Sequence, residues 1–105
     1  MEYVNKIELC GYVGSVHKFD IGDTRAARFS LSTAEHTKDQ DGIPVIETTW
    51  FNCIAFKGDK IDLSLIEKSN KLKVSGRVRQ YRYTGQSGTE VVSYEIICNE
   101  IKAVE

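Results

Sequence analysis

The chain has few of the features that mark membrane-spanning, secreted or metal-dependent proteins. Among its 105 residues are one proline and three cysteines. No run of about 18 apolar residues occurs, so we expect no membrane-spanning segment. The first residues, MEYVNKIELCGYVG, lack a basic segment followed by an apolar stretch. We therefore expect no signal peptide.

The cysteines Cys10, Cys53 and Cys98 are far apart and form no CxxC motif. Each lies in strand-like sequence among apolar neighbours. An odd, scattered set of this kind argues against a disulfide framework or a zinc site. We predict three buried, reduced thiols, no metal site and a cytoplasmic location.

Motifs for catalysis are also missing. His17 and His36 have no partner at metal-ligand spacing, and the chain contains no G-x-S-x-G, no phosphate-binding glycine loop and no HExxH motif. Asp39 and Asp41 are more simply interpreted as part of a solvated loop. We therefore predict a protein that is not an enzyme and needs no cofactor.

The net charge of -1 hides an uneven distribution of charge. No acid occurs between Lys68 and Tyr83, and the cations of this run are Lys68, Lys71, Lys73, Arg77, Arg79 and Arg82. The segment from Glu90 to Glu105 is acidic. One interpretation is a local basic binding face in a neutral protein. The alternative is an edge strand that carries cations to discourage pairing with other sheets.

Five segments have the alternating or apolar pattern of strands. They are Ile7 to Val13, residues 25–35, residues 47–56, Lys71 to Tyr83, and about Glu90 to Ala103. The last is long for a strand, so we predict that it is bent or bulged. Residues 36–44 are polar and predict a loop, and residues 84–89 a hairpin loop with two glycines.

The fourth segment predicts one buried and one solvent-facing side. The buried side carries Leu72, Val74, Gly76 and Val78, and the other carries Lys71, Lys73, Ser75, Arg77, Arg79, Tyr81 and Tyr83. Between the third and fourth strands, Asp59 can cap a helix of two or three turns that ends near Asn70.

This order of elements predicts an all-β protein, a five-stranded OB-fold barrel with one short helix between strands three and four. Its length fits a single domain over residues 1–105. An SH3-like barrel would not need the helix, and a four-stranded sheet with two helices would need a second one.

Aromatic and cationic side chains on a barrel are the chemistry of single-stranded nucleic-acid binding, in which rings stack on bases and cations contact phosphates. The fourth strand and its hairpin supply both, in Arg77, Arg79, Tyr81, Arg82 and Tyr83. Trp50 and Phe56 share a face of the third strand. Core packing of Trp50 and Phe56, with tyrosines that only stabilise the hairpin, is the alternative.

At these residues the chain resembles the bacterial-type single-stranded DNA-binding protein (SSB) family. Four pieces in order carry the resemblance: VNKIELCGYVGS, FSLSTAEHTKDQDG, ETTWFNCIAFKGDK and VSGRVRQYRYTGQSG. It implies that Trp50, Phe56 and Tyr83 stack on bases. It also implies backbone contacts near Lys6, Arg77 and Arg79, and the remaining candidates on the same strand and hairpin are Lys71, Lys73, Tyr81 and Arg82.

The chain departs from the family at two places. Thr37, beside His36, stands where the family often has a further stacking tryptophan. The family normally continues into a flexible tail with an acidic tip that recruits proteins, whereas this chain stops at Glu105. We therefore expect no recruitment through a tail in this chain.

The resemblance implies non-catalytic binding of single-stranded DNA in replication, repair and recombination. It also implies self-association, most often as a tetramer, with a dimer as the alternative. A second hypothesis is an OB interaction module, like primosomal replication protein B, that binds replication-restart proteins and binds DNA only secondarily.

Overall fold

A computed structural model of the chain describes residues 2–105. It contains five strands and a single turn of 3-10 helix. The strands are β1 (Ile7–Ile21), β2 (Thr24–Lys38), β3 (Pro44–Phe56), β4 (Lys71–Thr84) and β5 (Glu90–Ala103), and the turn is Leu63–Leu65. No helix among these residues is long and apolar enough to cross a membrane.

The strands close into a barrel in the order β1-β2-β3-β5-β4. All neighbours are antiparallel except β3 and β5, which run parallel and pair only at Cys53 with Ile96 and at Ile54 with Ile97. The prediction of a five-stranded OB-fold barrel is confirmed.

Alternation along β4 places the core as predicted. Leu72 and Val74 are fully buried, while Lys73 and Arg77 between and beyond them are exposed. The same period on β2 buries Phe29 and Leu31. Burial of these apolar side chains is the main favourable contribution to folding.

The predicted irregularity of β5 is also confirmed. Ser75 pairs with Glu100 and the next residue, Gly76, pairs with Cys98, so Asn99 is an extra residue on β5. A Cβ atom at Gly76 would lie 2.2 Å from the carbonyl oxygen of Ile97, which leaves room only for glycine. A bulge of this kind bends a strand and so helps a sheet to close.

The predicted helix is much shorter than expected. Only Leu63–Leu65 are helical, and the cap is Asp62 rather than Asp59. The Asp62 carboxylate accepts hydrogen bonds from the hydroxyl and the backbone N–H of Ser64, and these bonds lower its pKa. Because Ile61 and Ile66 are both buried against the barrel, the chain follows the core instead of a helical path.

The predicted loop 36–44 is shorter in the structure, because residues 36–38 and 44 belong to strands. β2 continues to Lys38 and β3 begins at Pro44, so only a short turn remains between them. In that turn the Asp39 carboxylate accepts hydrogen bonds from the N–H groups of Asp41 and Ile43, both at 2.9 Å. Residues 34–48 thus form a two-stranded extension, which we call the β2–β3 arm.

One prediction for the cysteines is wrong. Cys53 and Cys98 are buried, but Cys10 is exposed. Its side chain lies on the outward side of β1, where Leu9 and Gly11 take the inward positions. All three are free thiols, and a hydrogen bond with Cys53 together with burial raises the pKa of Cys98.

Candidate nucleic-acid interface

Trp50 lies on the outward side of β3. The inward side is formed by Cys53 and Ala55, with Phe51 packed against the core. Trp50 pairs with Ser32 of β2, and 59% of its surface is exposed. An aromatic ring that is open to solvent is available to stack on a base.

Phe56 lies at the other end of β3, opposite Ala26, and is half-buried. It is six positions along the chain from Trp50, which corresponds to roughly 20 Å along a strand. Ile54 lies on the same side between them and is buried although it is not part of the core cluster. The predicted pair therefore marks two ends of one outward-facing row.

Tyr81 and Tyr83 project from the extension of β4 and β5 beyond the barrel. We call residues 79–95 the β4–β5 arm. The two rings stack on each other with centroids 6.1 Å apart and an interplanar angle of 26°. They are 36% and 51% exposed. Since Tyr83 is open on its outer side, the pair offers a second platform for bases.

Between this arm and the outward side of strands β1 to β3 lies a groove of about 660 Å³. Two predicted residues, Arg79 and Tyr81, line it. So do three that the sequence analysis did not propose, namely His17, Arg28 and Asn52. The alternation of β2 places Arg28 on the outward side, and this pattern in the sequence could have identified it as a candidate binding residue.

The other missed cluster is aromatic. The rings of His17 and Phe19 stack with centroids 5.6 Å apart, and the Arg28 guanidinium carbon lies 5.3 Å from the centroid of Phe19. Tyr94, on the opposite side of the β4–β5 arm from Tyr81, is 59% exposed.

Most cations of the fourth strand have acidic neighbours. Arg79 pairs with Glu95, which is buried, and Arg82 Nη1 lies 3.1 Å from Glu90 Oε1. Lys73 Nζ lies 3.6 Å from the Glu8 carboxylate. Half of the cations that are segregated along the sequence are therefore paired in space, Arg79 and Arg82 with the neighbouring strand β5 and Lys73 with β1.

Arg77 and Lys71 of this strand, and Lys6 just before β1, make no salt bridge with another residue in the range 2–105. Arg77 and Lys6 are exposed, and Lys71 is half-buried. The Asn5 side chain donates to the carbonyl of Val78 at 2.7 Å and accepts from its N–H at 2.9 Å. This places Lys6 beside β4, next to Arg77. Lys71 lies 5.8 Å from the ring centroid of Tyr12.

Thr37, which stands where the SSB family often has a further stacking tryptophan, lies on the β2–β3 arm. Thr37 is half-buried and pairs with Val45, and His36 beside it is exposed. Within residues 2–105 no group of three or more His, Cys, Asp or Glu side chains could hold a metal ion. The arrangement can offer rings and cations to a polyanion.

A closed five-stranded barrel in this strand order, with a short helical turn between β3 and β4, defines an OB fold. Residues 4–104 match the model of the single-strand binding protein family. The chain belongs to this family.

Similar proteins carry the same family name. A single-stranded DNA-binding protein of Xanthomonas axonopodis pv. citri is 32% identical over 102 residues, which cover 94% of this chain and 57% of the relative. A single-stranded DNA-binding protein of Neisseria meningitidis serogroup A is 30% identical over 103 residues, 94% of this chain and 59% of the relative. This chain thus spans under two thirds of the length of these relatives.

Solved structures agree on the fold. The Plasmodium falciparum SSB in complex with ssDNA superposes with a TM-score of 0.76 at 25% identity, covering 99% of this chain and 96% of that one. The small single-stranded DNA-binding protein from Streptomyces coelicolor gives a TM-score of 0.70 at 19% identity and covers 96% of each chain. These names do not favour the hypothesis of a restart-protein interaction module.

Proposed function

We propose that this protein binds single-stranded DNA, without catalysis, by stacking bases on exposed aromatic rings and contacting phosphates with cations. The observation that carries the proposal is the exposure of Trp50 on the outward side of β3. Trp50 and Tyr94 line a cavity of about 250 Å³. Asn52 belongs both to this cavity and to the groove that Arg79 and Tyr81 line. Its family and the names of its relatives support the same class of ligand.

The platforms favour a single strand over a duplex for a geometric reason. In a duplex each base is covered by its stacked neighbours, so an aromatic ring reaches a base face only after unstacking. In a single strand the faces are accessible, and stacking is nearly independent of sequence. A role in protecting unwound strands during replication, repair and recombination in the cytoplasm follows from this preference.

The residues proposed for this site have different roles. Trp50, Phe56, Tyr81 and Tyr83 supply the rings, and Arg77, Arg79, Arg82, Lys6, Lys71 and Lys73 supply the charge. Arg77 and Lys6 are the cations best placed to contact phosphate first, since they are exposed and have no carboxylate to release among residues 2–105, whereas Lys71 is half-buried beside Tyr12.

A fluorescence titration tests the proposal, because Trp50 is the only tryptophan. Oligo(dT) should quench the emission of Trp50, and a duplex of equal length should quench it far less. Equal affinity for both, or binding of neither, would refute the proposed function. Oligo(rU) of the same length measures the preference between DNA and RNA.

We also propose that copies of the chain associate through β1. Residues Ile7 to Gly11 pair with β4, while pairing of β1 with β2 begins only at Tyr12. Within residues 2–105 one edge of this stretch thus has free backbone groups, and a free edge can pair with a second chain. The tetramer and the dimer are both consistent with such an edge.

Sedimentation equilibrium at micromolar concentration should give a multiple of the 11.9 kDa chain mass. Cys10→Glu should weaken the association, because both copies contribute the same patch to a two-fold interface and the substitution therefore places two charges in it. Gln86→Glu, at the tip of the β4–β5 arm, is the control and should have no effect. A monomeric parent protein would contradict the proposal.

A further inference from the structure

Gly14 lies at an irregularity of β1 where backbone conformation does not require glycine. Pairing with β2 shifts between Val13 and Val16, so Gly14 and Ser15 together face the single residue Ser30. The glycines with positive φ are Gly22, Gly42 and Gly88. Gly14 is outside that group, so its backbone can accommodate an L-residue.

The lack of space for a side chain, rather than the backbone φ angle, explains why residue 14 is a glycine. A Cβ atom on Gly14 would lie 2.7 Å from Cζ3 and 3.1 Å from Cη2 of Trp50. The outer edge of the six-membered ring of the indole therefore lies against the glycine. Among the glycines of residues 2–105, only Gly14 has an aromatic ring among the nearest atoms.

Ser30 completes the surface under the ring. Its Oγ would be 2.7 Å from a Cβ atom on Gly14. The same oxygen accepts a hydrogen bond from the N–H of Ser15 at 2.9 Å and lies 3.1 Å from the Ser15 hydroxyl. A side chain on β2 thus holds the bulge of β1 at the place where the indole rests.

We propose that Gly14 is a positioning residue for Trp50, with Ser30 fixing the bulge that supports it. The indole contacts Gly14 on one side and remains 59% exposed, so one conformation is held while a base can approach. Holding a ring in its bound conformation reduces the entropy lost on binding. The benefit to DNA binding rests on the proposed function, whereas the contact between Gly14 and Trp50 does not.

Gly14→Ala is the direct test, because the added methyl group must displace the ring or the Ser30 hydroxyl. In the free protein the steady-state anisotropy of Trp50 emission should fall. Affinity for oligo(dT) should fall roughly tenfold, within the range for one lost base stack. Gly58→Ala is the matched control, since its Cβ atom would meet nothing closer than 3.9 Å, and it should change neither quantity.

A double-mutant cycle separates the ring from the bulge. In a Trp50→Ala background, Gly14→Ala should cause no further loss of affinity, measured with a fluorescently labelled oligo(dT). A full additional loss would overturn the proposal. If Gly14→Ala alone does not fold, the double variant should fold again, because the ring that clashes has been removed. Failure of both variants to fold would assign the clash to the bulge and would overturn the proposal.

The two proposals fail in different ways. Unchanged anisotropy and emission in Gly14→Ala would overturn the positioning role, whether or not the protein binds DNA. Reduced anisotropy in Gly14→Ala, with a parent protein that binds no oligo(dT), would support the contact with Trp50 and refute the proposed function instead.

Discussion

Two arms extend from the same barrel, and they carry opposite chemistry. The β2–β3 arm has Glu35 directly opposite Glu47, two further carboxylates in or beside its turn, and the single cation Lys38. In the β4–β5 arm, Arg79 and Arg82 each pair with a glutamate of the neighbouring strand. Both arms are two-stranded ribbons without a core.

The difference shows that backbone architecture alone does not define a nucleic-acid surface. The β4–β5 arm offers stacked tyrosines and cations that can exchange a carboxylate for a phosphate. The β2–β3 arm offers exposed isoleucines, Ile43 and Ile46, and charges that repel phosphate. We therefore expect the DNA path to follow the β4–β5 arm and to leave β3 near Trp50.

The variant with the largest expected effect tests whether the DNA leaves β3 near Trp50. Trp50→Ala should weaken binding to labelled oligo(dT) by roughly 1–3 kcal/mol, the range for one base–aromatic stack. The melting temperature should change little, because Trp50 is largely exposed. Ile46→Ala, further out on the β2–β3 arm and 65% exposed, should have no effect on affinity. An equal loss in both variants would extend the DNA path along the acidic arm.

A smaller effect compares the two sides of the β4–β5 arm. Tyr83→Ala should cost about 1 kcal/mol of binding, the lower end of the range, because Tyr81 remains as a partial platform. Tyr94→Ala is the comparison variant: the residue is 59% exposed, against 51% for Tyr83, and lies on the other side of the arm, where it lines a cavity with Trp50. If Tyr94→Ala is the more damaging change in the same assay, the DNA follows the opposite side of the arm.

The charges should appear in the dependence of affinity on salt. Arg77→Ala with Arg79→Ala should flatten the log–log slope, by about 0.7 for each phosphate that the variant no longer neutralises. Most of the change should come from Arg77, because Arg79 already has Glu95 as a partner. Titrations of both single variants at several salt concentrations measure how much of the change in slope each arginine causes. An unchanged slope in the double variant would show that these cations are only solvated.

The smallest effect concerns the acidic arm itself. Glu47→Lys replaces a like-charged cross-strand pair by an opposite one and should stabilise the fold by roughly 0.2–1 kcal/mol. Urea unfolding measures this, with Glu47→Gln as the intermediate case. Oligo(dT) affinity should stay nearly constant. A large gain in affinity would mean that DNA already passes along this arm.

The barrel and the β4–β5 hairpin could be predicted from the sequence, whereas the outer end of the β2–β3 arm could not. Leu72 and Val74 alternate with Lys71 and Lys73 because one side of β4 is buried, and burial imposes a period of two. Residues 36–44 have no buried side, so the sequence shows only polarity and predicts a loop. Asp62 was missed as a cap because packing of Ile61 and Ile66 overrides the local preference for a helix.

The candidate site was predictable in the exposure of its rings more than in the pairing of its charges. Tyr83 follows from the alternation of β4 and Trp50 from the resemblance to the family, and both side chains are exposed. The pairing of Arg79 with Glu95 depends on the register of the β4–β5 hairpin, which a segment-by-segment count of charge ignores. Arg28 was missed because the groove that it lines is formed by residues from strands that are distant in the sequence.

The parallel pairing of β3 with β5 has a consequence for motion. It consists of two residue pairs, whereas β4 and β5 pair from Leu72 with Ala103 to Thr84 with Glu90. A junction with so few hydrogen bonds should open at a lower free energy than the rest of the barrel. Cys53 lies at that junction and Cys98 lies nearby, both buried, while Cys10 is exposed. A thiol reagent should therefore label Cys10 at once, and its slow reaction with the other two should measure how often the barrel opens between β3 and β5.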